Sequence, residues 1–344
     1  ELADAVHVPG EAEDRPLAAT VVGVPPEEFE PFLAAEDGAR FIEAHCSERP
    51  GEPFFLVVSC GPPHVPWHAP EPFASLVDPA SVPEPPNYGD SLQDKPVTYR
   101  KHYNGVNFGR IKDDWPLMAR ALAKYYGCCA MVDAAFGSLL DAVERAGVLD
   151  ETIVVYTSDH GELAGAHGLY GKDELLCEEL VRIPLVMAGP GIAPGRFEAP
   201  ITLCDLFATL AALAGIEAPR PADSRDLAPL LRLDESSRPS GAELLDAEPV
   251  VFQHHGATYH FNSVRGIRTA RYKYVYRPHE VDELYDLEKD PHECTNFAGD
   301  PAYAGVLYEL RLRLLNWMKE REDFVYHGAA RVFSGIYRKR EWDW

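Results

Sequence analysis

The chain has 344 residues, an apolar fraction of 46% and a formal net charge of −23. Its length allows one large domain with an appendage, or two domains, and its apolar content excludes a disordered chain. The negative charge argues against a nucleic-acid partner, because no basic stripe exists to contact phosphates. No apolar run reaches the roughly 18 residues that cross a bilayer, so we predict no membrane span.

The cysteines and the amino terminus bear on location and processing. The seven cysteines form no CxxC pair, and only Cys128 and Cys129 are adjacent. They predict neither a disulfide framework nor a zinc site, and they favour a reducing, cytoplasmic location, with a periplasmic or secreted one left open. The first residues, ELADAVHVPG, hold no initiator Met and no basic segment followed by an apolar one. We therefore expect a fragment, a processed product or a natural truncation.

The first third of the chain predicts a helix, a strand and a loop. Residues 25–46, PPEEFEPFLAAEDGARFIEAHC, have apolar side chains at helical spacing. Residues 53–59, PFFLVVS, form a continuous apolar run, which is typical of a strand covered on both faces. Residues 62–96 are too rich in Pro for regular structure, and long loops of this kind often line a site.

The middle of the chain predicts alternating helices and strands. Residues 116–146 read as a long amphipathic helix that we expect to bend at Gly127 or Gly137. The next predicted elements are a strand at 152–158, a short helix at 173–181, a strand at 183–189 and a helix at 202–215. This alternation predicts an α/β fold with a mainly parallel sheet flanked by helices.

We expect three parts along the chain: an α/β domain at 1–215, a polar linker at 216–247 and a smaller α+β subdomain at 248–344. The last part holds short strands, which predict an antiparallel sheet, and then a helix. One strand, RYKYVYRP, alternates basic and aromatic residues. We interpret it as half-buried, with snorkelling Arg and Lys, and not as a nucleic-acid contact.

The stretch from Tyr156 to Lys172, YTSDHGELAGAHGLYGK, places ionisable residues on a glycine-rich turn directly after a predicted strand. In α/β proteins, ligands bind beyond the carboxyl ends of such strands. Asp159 and His160 could form half of a metal site there, and Lys172 could reach the same anion. A capped loop without such a role is the alternative that these residues alone leave open.

The longer segment DETIVVYTSDHGELAGAHGLYGKDELLCEELVRIPLVMAGPG resembles the type I sulfatases of the alkaline-phosphatase superfamily. Their pattern is a strand, T-S-D-H/N-G-E, G-x-H-G, a Lys, R-x-P-L and a second strand. PFFLVVSCGPPHVPWHAP, the helix before the turn and VRGIRTARYKYVYRPHEVDELYDLEKDPHECTNFA follow the family's order, so the resemblance covers about residues 28–320. It implies an alkaline-phosphatase-like fold and hydrolysis of a small-molecule or saccharide sulfate ester.

Carried over position by position, the resemblance implies a role for each of four residues. Asp159 and His160 would bind Ca²⁺ or another divalent cation, Lys172 would contact the sulfate oxygens, and His64 would lie near the bridging oxygen. These roles are chemically consistent, because a cation and a Lys offset the charge of the anion while a His protonates the leaving alcohol. His167 also fits the pattern, but a packed or hydrogen-bonded His is an equal alternative.

Two elements of the family are missing from this sequence. No cysteine lies in C-x-P-S-R, the segment whose Cys becomes formylglycine. Asp113 and Asp114 are adjacent, yet no apolar strand precedes them, which favours a solvated loop over the family's Asp-Asp metal pair. We therefore expect the carboxyl-terminal part of a sulfatase, with the missing amino-terminal segment as its partner and an apolar surface exposed near 53–59 or 152–158.

Alternatives remain for the function and for one histidine group. Within the superfamily, a phosphonate or phosphate ester hydrolase is the second candidate, and a non-catalytic sulfatase-like remnant is the third. His254, His255 and His260 have spacing that suits a zinc or substrate cluster, but a strand end with solvated histidines is favoured.

Overall fold

The computed structural model describes residues 19–105, 114–172, 174–197, 200–217, 223–256 and 263–335. Contacts divide them into two compact units. The first unit takes in the described parts of Glu1–Tyr88, Asn104–Val154 and Ala164–Gly171. The second takes in those of Gly89–Tyr103, Val155–Leu163 and Lys172–Trp344. Both units are thus built from segments that are discontinuous in sequence.

The regular elements largely follow the predicted order. Helices α1 to α9 span Glu30–Glu48, Val97–Gly105, Trp115–Arg145, Glu178–Val181, Leu203–Leu213, Ala228–Leu231, Gly241–Ala247, Ala304–Glu320 and Tyr326–Phe333. Strands β1 to β8 span Ala19–Val22, Trp67–Pro70, Val154–Thr157, Leu185–Ala188, Val250–His255, Ser263–Arg268, Tyr272–Tyr276 and Glu283–Asp286. The short helix expected at 173–181 begins only at Glu178.

Helix α3 is the central helix of the first unit. The Asp114 carboxylate accepts a hydrogen bond from the Leu117 N–H at 3.0 Å, which caps the helix start. The helix continues through Gly127, where a Cβ would lie 2.3 Å from the Phe73 carbonyl oxygen. This glycine is therefore required by a close approach of the backbone.

The length and composition of α3 would also suit a membrane span, and on these two criteria α3 is a candidate. Its buried side chains, however, belong to the core of the first unit, where they pack with Trp67, Tyr88 and Tyr170. They include Leu117, Met118, Leu122 and Cys128. This packing is that of the core helix of a globular unit.

Residues 53–59 are not a strand, contrary to the prediction. Phe54 and Leu56 pack against α1 and α3, whereas Phe55 is 80% exposed and Val57 is 70% exposed. A strand exists only where a neighbour accepts and donates its backbone hydrogen bonds, and no described residue pairs with this run. The predicted exposure of an apolar surface near 53–59 is confirmed.

Strand β2 lies inside the Pro-rich stretch for which we predicted no regular structure, so that prediction is wrong at this point. It pairs in parallel with β1, Trp67 opposite Ala19. The Trp67 side chain is only 1% exposed and contacts the rings of Tyr125 and Tyr170. Burial of this large aromatic ring anchors the strand despite the flanking prolines.

The second unit contains β4, all of β3 except its first residue, Val154, and a four-stranded sheet in the order β5-β6-β7-β8. Strands β3 and β4 pair with each other. Every pair of the larger sheet is antiparallel, as predicted. Helices α8 and α9 cover one face of this sheet, where their side chains pack on Ile267, Tyr274 and Leu284. The carboxyl-terminal α+β arrangement is therefore confirmed.

Candidate active site

The turn after β3 carries Asp159 and His160. The His160 N–H donates to Asp159 Oδ1 at 2.9 Å, and the Ser158 hydroxyl approaches the same oxygen at 3.3 Å. The other oxygen, Oδ2, lies 3.5 Å from His160 Nε2, and the Asp159 side chain is 79% exposed. Local hydrogen bonds thus hold the carboxylate beside the imidazole while one oxygen faces outward.

The Asp159 carboxyl favours its charged form. Partial burial would raise its pKa, but the hydrogen bonds from the His160 N–H and from Ser158, together with the positive charge of His160 whenever that ring is protonated, outweigh it. The pKa of Asp159 is therefore below its ordinary value, and a carboxylate anion is present at neutral pH. A cation ligand needs this anionic form.

The His160 ring is oriented by hydrogen bonds at both nitrogens. Nδ1 lies 2.8 Å from the Gly161 carbonyl oxygen, and Lys172 Nζ lies 2.7 Å from Nε2. Because a carbonyl only accepts and an ammonium only donates, Nδ1 carries the proton and Nε2 the lone pair. The nitrogen nearest the carboxylate is therefore the one able to bind a cation.

Gly161 fixes the turn to helix α4. Its N–H donates to the Leu180 carbonyl at 2.9 Å, and a Cβ at this position would lie 1.9 Å from the Glu179 carbonyl oxygen. Only glycine allows this approach. No role was predicted for Gly161 or Ser158, although both stand in the T-S-D-H-G-E pattern that could have signalled one.

The donor atoms fit a divalent cation in part. Because Ca²⁺ binds oxygens at about 2.3–2.6 Å, two donors 3.5 Å apart can both reach one ion. Asp159 and His160 supply few of the about six to eight ligands that Ca²⁺ takes. A cation on Nε2 would also require the Lys172 ammonium to turn away from that nitrogen.

His64 belongs to the first unit. It is exposed, and its Nδ1 lies 2.5 Å from the Val65 carbonyl oxygen. By the same reasoning Nδ1 carries the proton there, so Nε2 is the nitrogen that can exchange one. The structure brings Asp159, His160 and Lys172 together, while the convergence of His64 with them stays a prediction.

The structure places most of the histidines and aspartates whose roles the sequence left open. His167 is fully buried, and its Nε2 lies 3.2 Å from Asn87 Nδ2, as the packed alternative predicts. Asp114 caps α3, whereas Asp113 and His260 lie outside the described residues. His254 and His255 end strand β5, where the latter contacts the Phe324 ring.

The predicted snorkelling of the basic side chains on RYKYVYRP is wrong for two of them. Lys273 is 0% exposed and Arg277 is 1% exposed, and both form ion pairs with buried glutamates. The strand itself is β7, as predicted. The prediction failed because alternation shows which residues share a face of the strand but not whether that face is exposed to solvent.

Two family models match most of the chain. The sulfatase family model matches residues 33–216, more than half of the chain. A model described as N-sulphoglucosamine sulphohydrolase, C-terminal, matches residues 165–320. The first region contains Asp159, His160 and Lys172, and the second contains Lys172.

A choline-sulfatase of Rhizobium meliloti is 32% identical over 252 residues, covering 72% of this chain and 47% of that protein. The solved phosphonate monoester hydrolase of Agrobacterium radiobacter has 25% identity and a TM-score of 0.74, covering 92% of this chain and 65% of that one. A protein solved in complex with its substrate D-glucosamine-2-N,6-O-disulfate has 21% identity and a TM-score of 0.73 over 86% of this chain and 70% of that one. The chain spans about half the length of the choline-sulfatase.

The fold is that of the alkaline-phosphatase superfamily, an α/β architecture, and in this chain the turn after strand β3 carries Asp159 and His160. This confirms the predicted fold class. Within that superfamily, the chain belongs to the type I sulfatase family, whose members are sulfuric ester hydrolases.

Proposed function

We propose that this chain carries the metal-binding turn and the anion-contacting side chains of an enzyme that hydrolyses sulfate esters of small molecules or saccharides. The observation that supports this most directly is the contact of Lys172 Nζ with His160 Nε2 at 2.7 Å, beside the Asp159 carboxylate. A divalent cation bound by Asp159 and His160, with the Lys172 ammonium turned away from Nε2 but still nearby, would create a positive site for a tetrahedral anion. In this proposal, residues 1–215 hold the catalytic part and 248–344 the smaller subdomain, joined by 216–247.

Each residue has a distinct part in the proposed reaction. Asp159 and His160 would hold a divalent cation, which would supply Lewis-acid polarisation of a sulfate oxygen. Lys172 offsets the negative charge of the sulfate oxygens. His64, with its Nδ1 hydrogen held by the Val65 carbonyl, acts in its imidazolium form, which gives the Nε2 proton to the departing alcohol and leaves the neutral ring.

We propose that the nucleophile comes from a segment outside these 344 residues, because the sequence contains no C-x-P-S-R. That segment would supply the formylglycine and the Asp pair, and with it most of the remaining cation ligands. The chain by itself is then expected to bind divalent cations weakly and to leave aryl sulfates intact.

The test measures hydrolysis of 4-nitrophenyl sulfate by the 344-residue chain and by the protein extended with its upstream coding sequence. Only the extended protein is expected to turn over the ester. In it, Asp159→Ala should weaken Ca²⁺ binding by more than about tenfold, whereas Lys172→Ala and His64→Ala should chiefly lower kcat. Asp150→Ala, at an exposed position near β3, is the matched control and should change neither quantity. Turnover by the chain alone that survives chelation and all three substitutions would refute the proposal.

A phosphonate or phosphate ester hydrolase is the second candidate, supported by the TM-score of 0.74 with the phosphonate monoester hydrolase. A comparison of kcat/KM for 4-nitrophenyl sulfate and 4-nitrophenyl phenylphosphonate separates the two activities. A higher value for the phosphonate would replace the sulfatase assignment of this site. Inactivity of the metal-loaded extended protein on both esters would instead support a non-catalytic remnant.

A further inference from the structure

The four-stranded sheet has one apolar and one charged face. Because paired residues of neighbouring strands share a face, Ile267, Tyr274 and Leu284 lie on the side covered by α8 and α9. The opposite side carries Arg268 and Lys273, which are paired with each other. By alternation along β7, Val275 and Arg277 lie on this second side as well, which we call the charged face.

Residues 174–178, the segment that follows Lys172, lie across the charged face. The Glu178 carboxylate lies 3.3 Å from both Lys273 Nζ and Arg268 Nε. Leu176 packs on Val264 and Val275.

The last contact of this series is made by Arg277, whose Nη2 donates to the Glu174 carbonyl at 3.0 Å. The segment therefore runs antiparallel to β7. Its contacts, in order, are Glu178 with Lys273, Leu176 with Val275 and Glu174 with Arg277. Each contact lies two residues nearer to Lys172 than the one before. The last contact is that of Arg277 with Glu174, and Glu174 is two residues from Lys172 in sequence.

Arg277 is itself held rigidly. Its side chain is 1% exposed, and Nε lies 2.6 Å from the Glu283 carboxylate, whose other oxygen accepts from Tyr285 at 2.6 Å and Tyr99 at 3.1 Å. A buried ion pair of this kind contributes little net stability compared with apolar side chains of similar size. It does provide a guanidinium of fixed direction, aimed at one backbone carbonyl.

We propose that Arg277 is a positioning residue: through the Glu174 carbonyl it sets where the Lys172 ammonium lies relative to His160 and to a bound sulfate. This inference rests on the proposed function. The Lys172 side chain is long and flexible, so the location of its ammonium depends on where its backbone is held. Small displacements of such a group cost large factors in binding and rate.

The test removes the anchor and leaves no buried charge unpaired. Arg277→Met alone would leave the Glu283 carboxylate buried without its cation, so it is combined with Glu283→Gln. The Gln side-chain oxygen can still accept from Tyr285 and Tyr99. The matched control is Arg265→Met combined with Asp323→Asn. Arg265 and Asp323 form an equally buried pair on the opposite face, with contacts of 2.6 and 2.9 Å.

Two quantities are measured on the 344-residue chain: amide hydrogen exchange of residues 174–178, and the Kd for inorganic sulfate by calorimetry. The Arg277→Met, Glu283→Gln variant should speed exchange in this segment and raise the sulfate Kd by about tenfold. The control variant should change neither the exchange rate of residues 174–178 nor the sulfate Kd, even if it lowers thermal stability as much as the Arg277 variant does.

The outcomes separate the two proposals. Unchanged exchange at 174–178, or a sulfate Kd that rises in Lys172→Ala but not in the Arg277 variant, would refute the positioning role. A sulfate Kd that Lys172→Ala leaves unchanged would refute the proposed function of Lys172. Hydrogen exchange would in that case still decide whether Arg277 anchors the segment.

Discussion

Gly161 is the residue on which the position of the candidate metal turn depends. Its carbonyl accepts from His160 Nδ1, and its N–H donates to the Leu180 carbonyl. One small residue thus sets both the tautomer of the imidazole and the distance between the turn and helix α4. No larger residue fits, because a Cβ would collide with the Glu179 carbonyl oxygen, and a backbone atom cannot change rotamer to make room.

Gly161→Ala should therefore destabilise the protein by about 1–3 kcal/mol. A Cβ placed 1.9 Å from the Glu179 carbonyl oxygen forces the two backbones apart. Gly137→Ala is the control, since Gly137 lies in α3 with open space around its Cβ position, and it should stabilise by about 0.5–1 kcal/mol. Urea unfolding measures both values, and equal stability of the Gly161 variant and the wild type would contradict the close approach.

At the scale of secondary-structure elements, the charged face of the sheet places one ammonium between two carboxylates. Lys273 contacts both Glu178 and Glu293, and Glu178 also pairs with Arg268. Burial raises the pKa of both glutamates, but at Glu178 the two cations outweigh it and lower the pKa. At Glu293 burial prevails over Lys273, and the pKa rises to about 7.

A raised pKa in the folded state means that the folded protein binds the proton more tightly than the unfolded chain does. The stabilisation from Glu293 is then present below its ordinary pKa of 4.5 and is lost as pH rises through about 7. Relative to Glu293→Gln, the wild type should thus lose stability between pH 5 and pH 8, as measured by urea unfolding. Glu217→Gln, at an exposed position, should show no such difference. A constant difference for Glu293→Gln across this range would disprove the raised pKa.

At the scale of the whole molecule, the apolar run at 53–59 leaves hydrophobic side chains in water. Phe55 and Val57 point away from α1 and α3, and Val58 is also 37% exposed. Contiguous apolar surface of this kind promotes binding of other apolar surfaces.

Phe55→Ser combined with Val57→Thr should lower the fluorescence of bound anilinonaphthalene sulfonate and reduce self-association in sedimentation. The free energy of unfolding should change by less than about 0.5 kcal/mol, because both side chains are largely solvated already. Tyr308→Ser is the control, since Tyr308 is a single aromatic, 71% exposed on α8. Dye binding that falls equally in the control, or not at all, would show that these residues form no such surface.

Features that depend on neighbours along the chain were predictable from the sequence. The strand before Asp159, the glycine-rich turn, helices α3, α5 and α8 and the antiparallel strands all follow from local periodicity and spacing. The grouping of Asp159, His160 and Lys172 followed in the same way, because a strand end and a short turn keep them close.

Tertiary structure alone decided the features whose partners are distant in sequence. Residues 53–59 have the composition of a buried strand, yet a strand needs hydrogen-bonding neighbours that no local pattern supplies. Lys273 is buried where it meets Glu178, and Arg277 where it donates to the Glu174 carbonyl. Alternation along β7 gives no sign of these two partners, because both precede the strand by more than 90 residues. Gly161 is required because the Glu179 carbonyl comes close, and that approach exists only once α4 has packed against the turn.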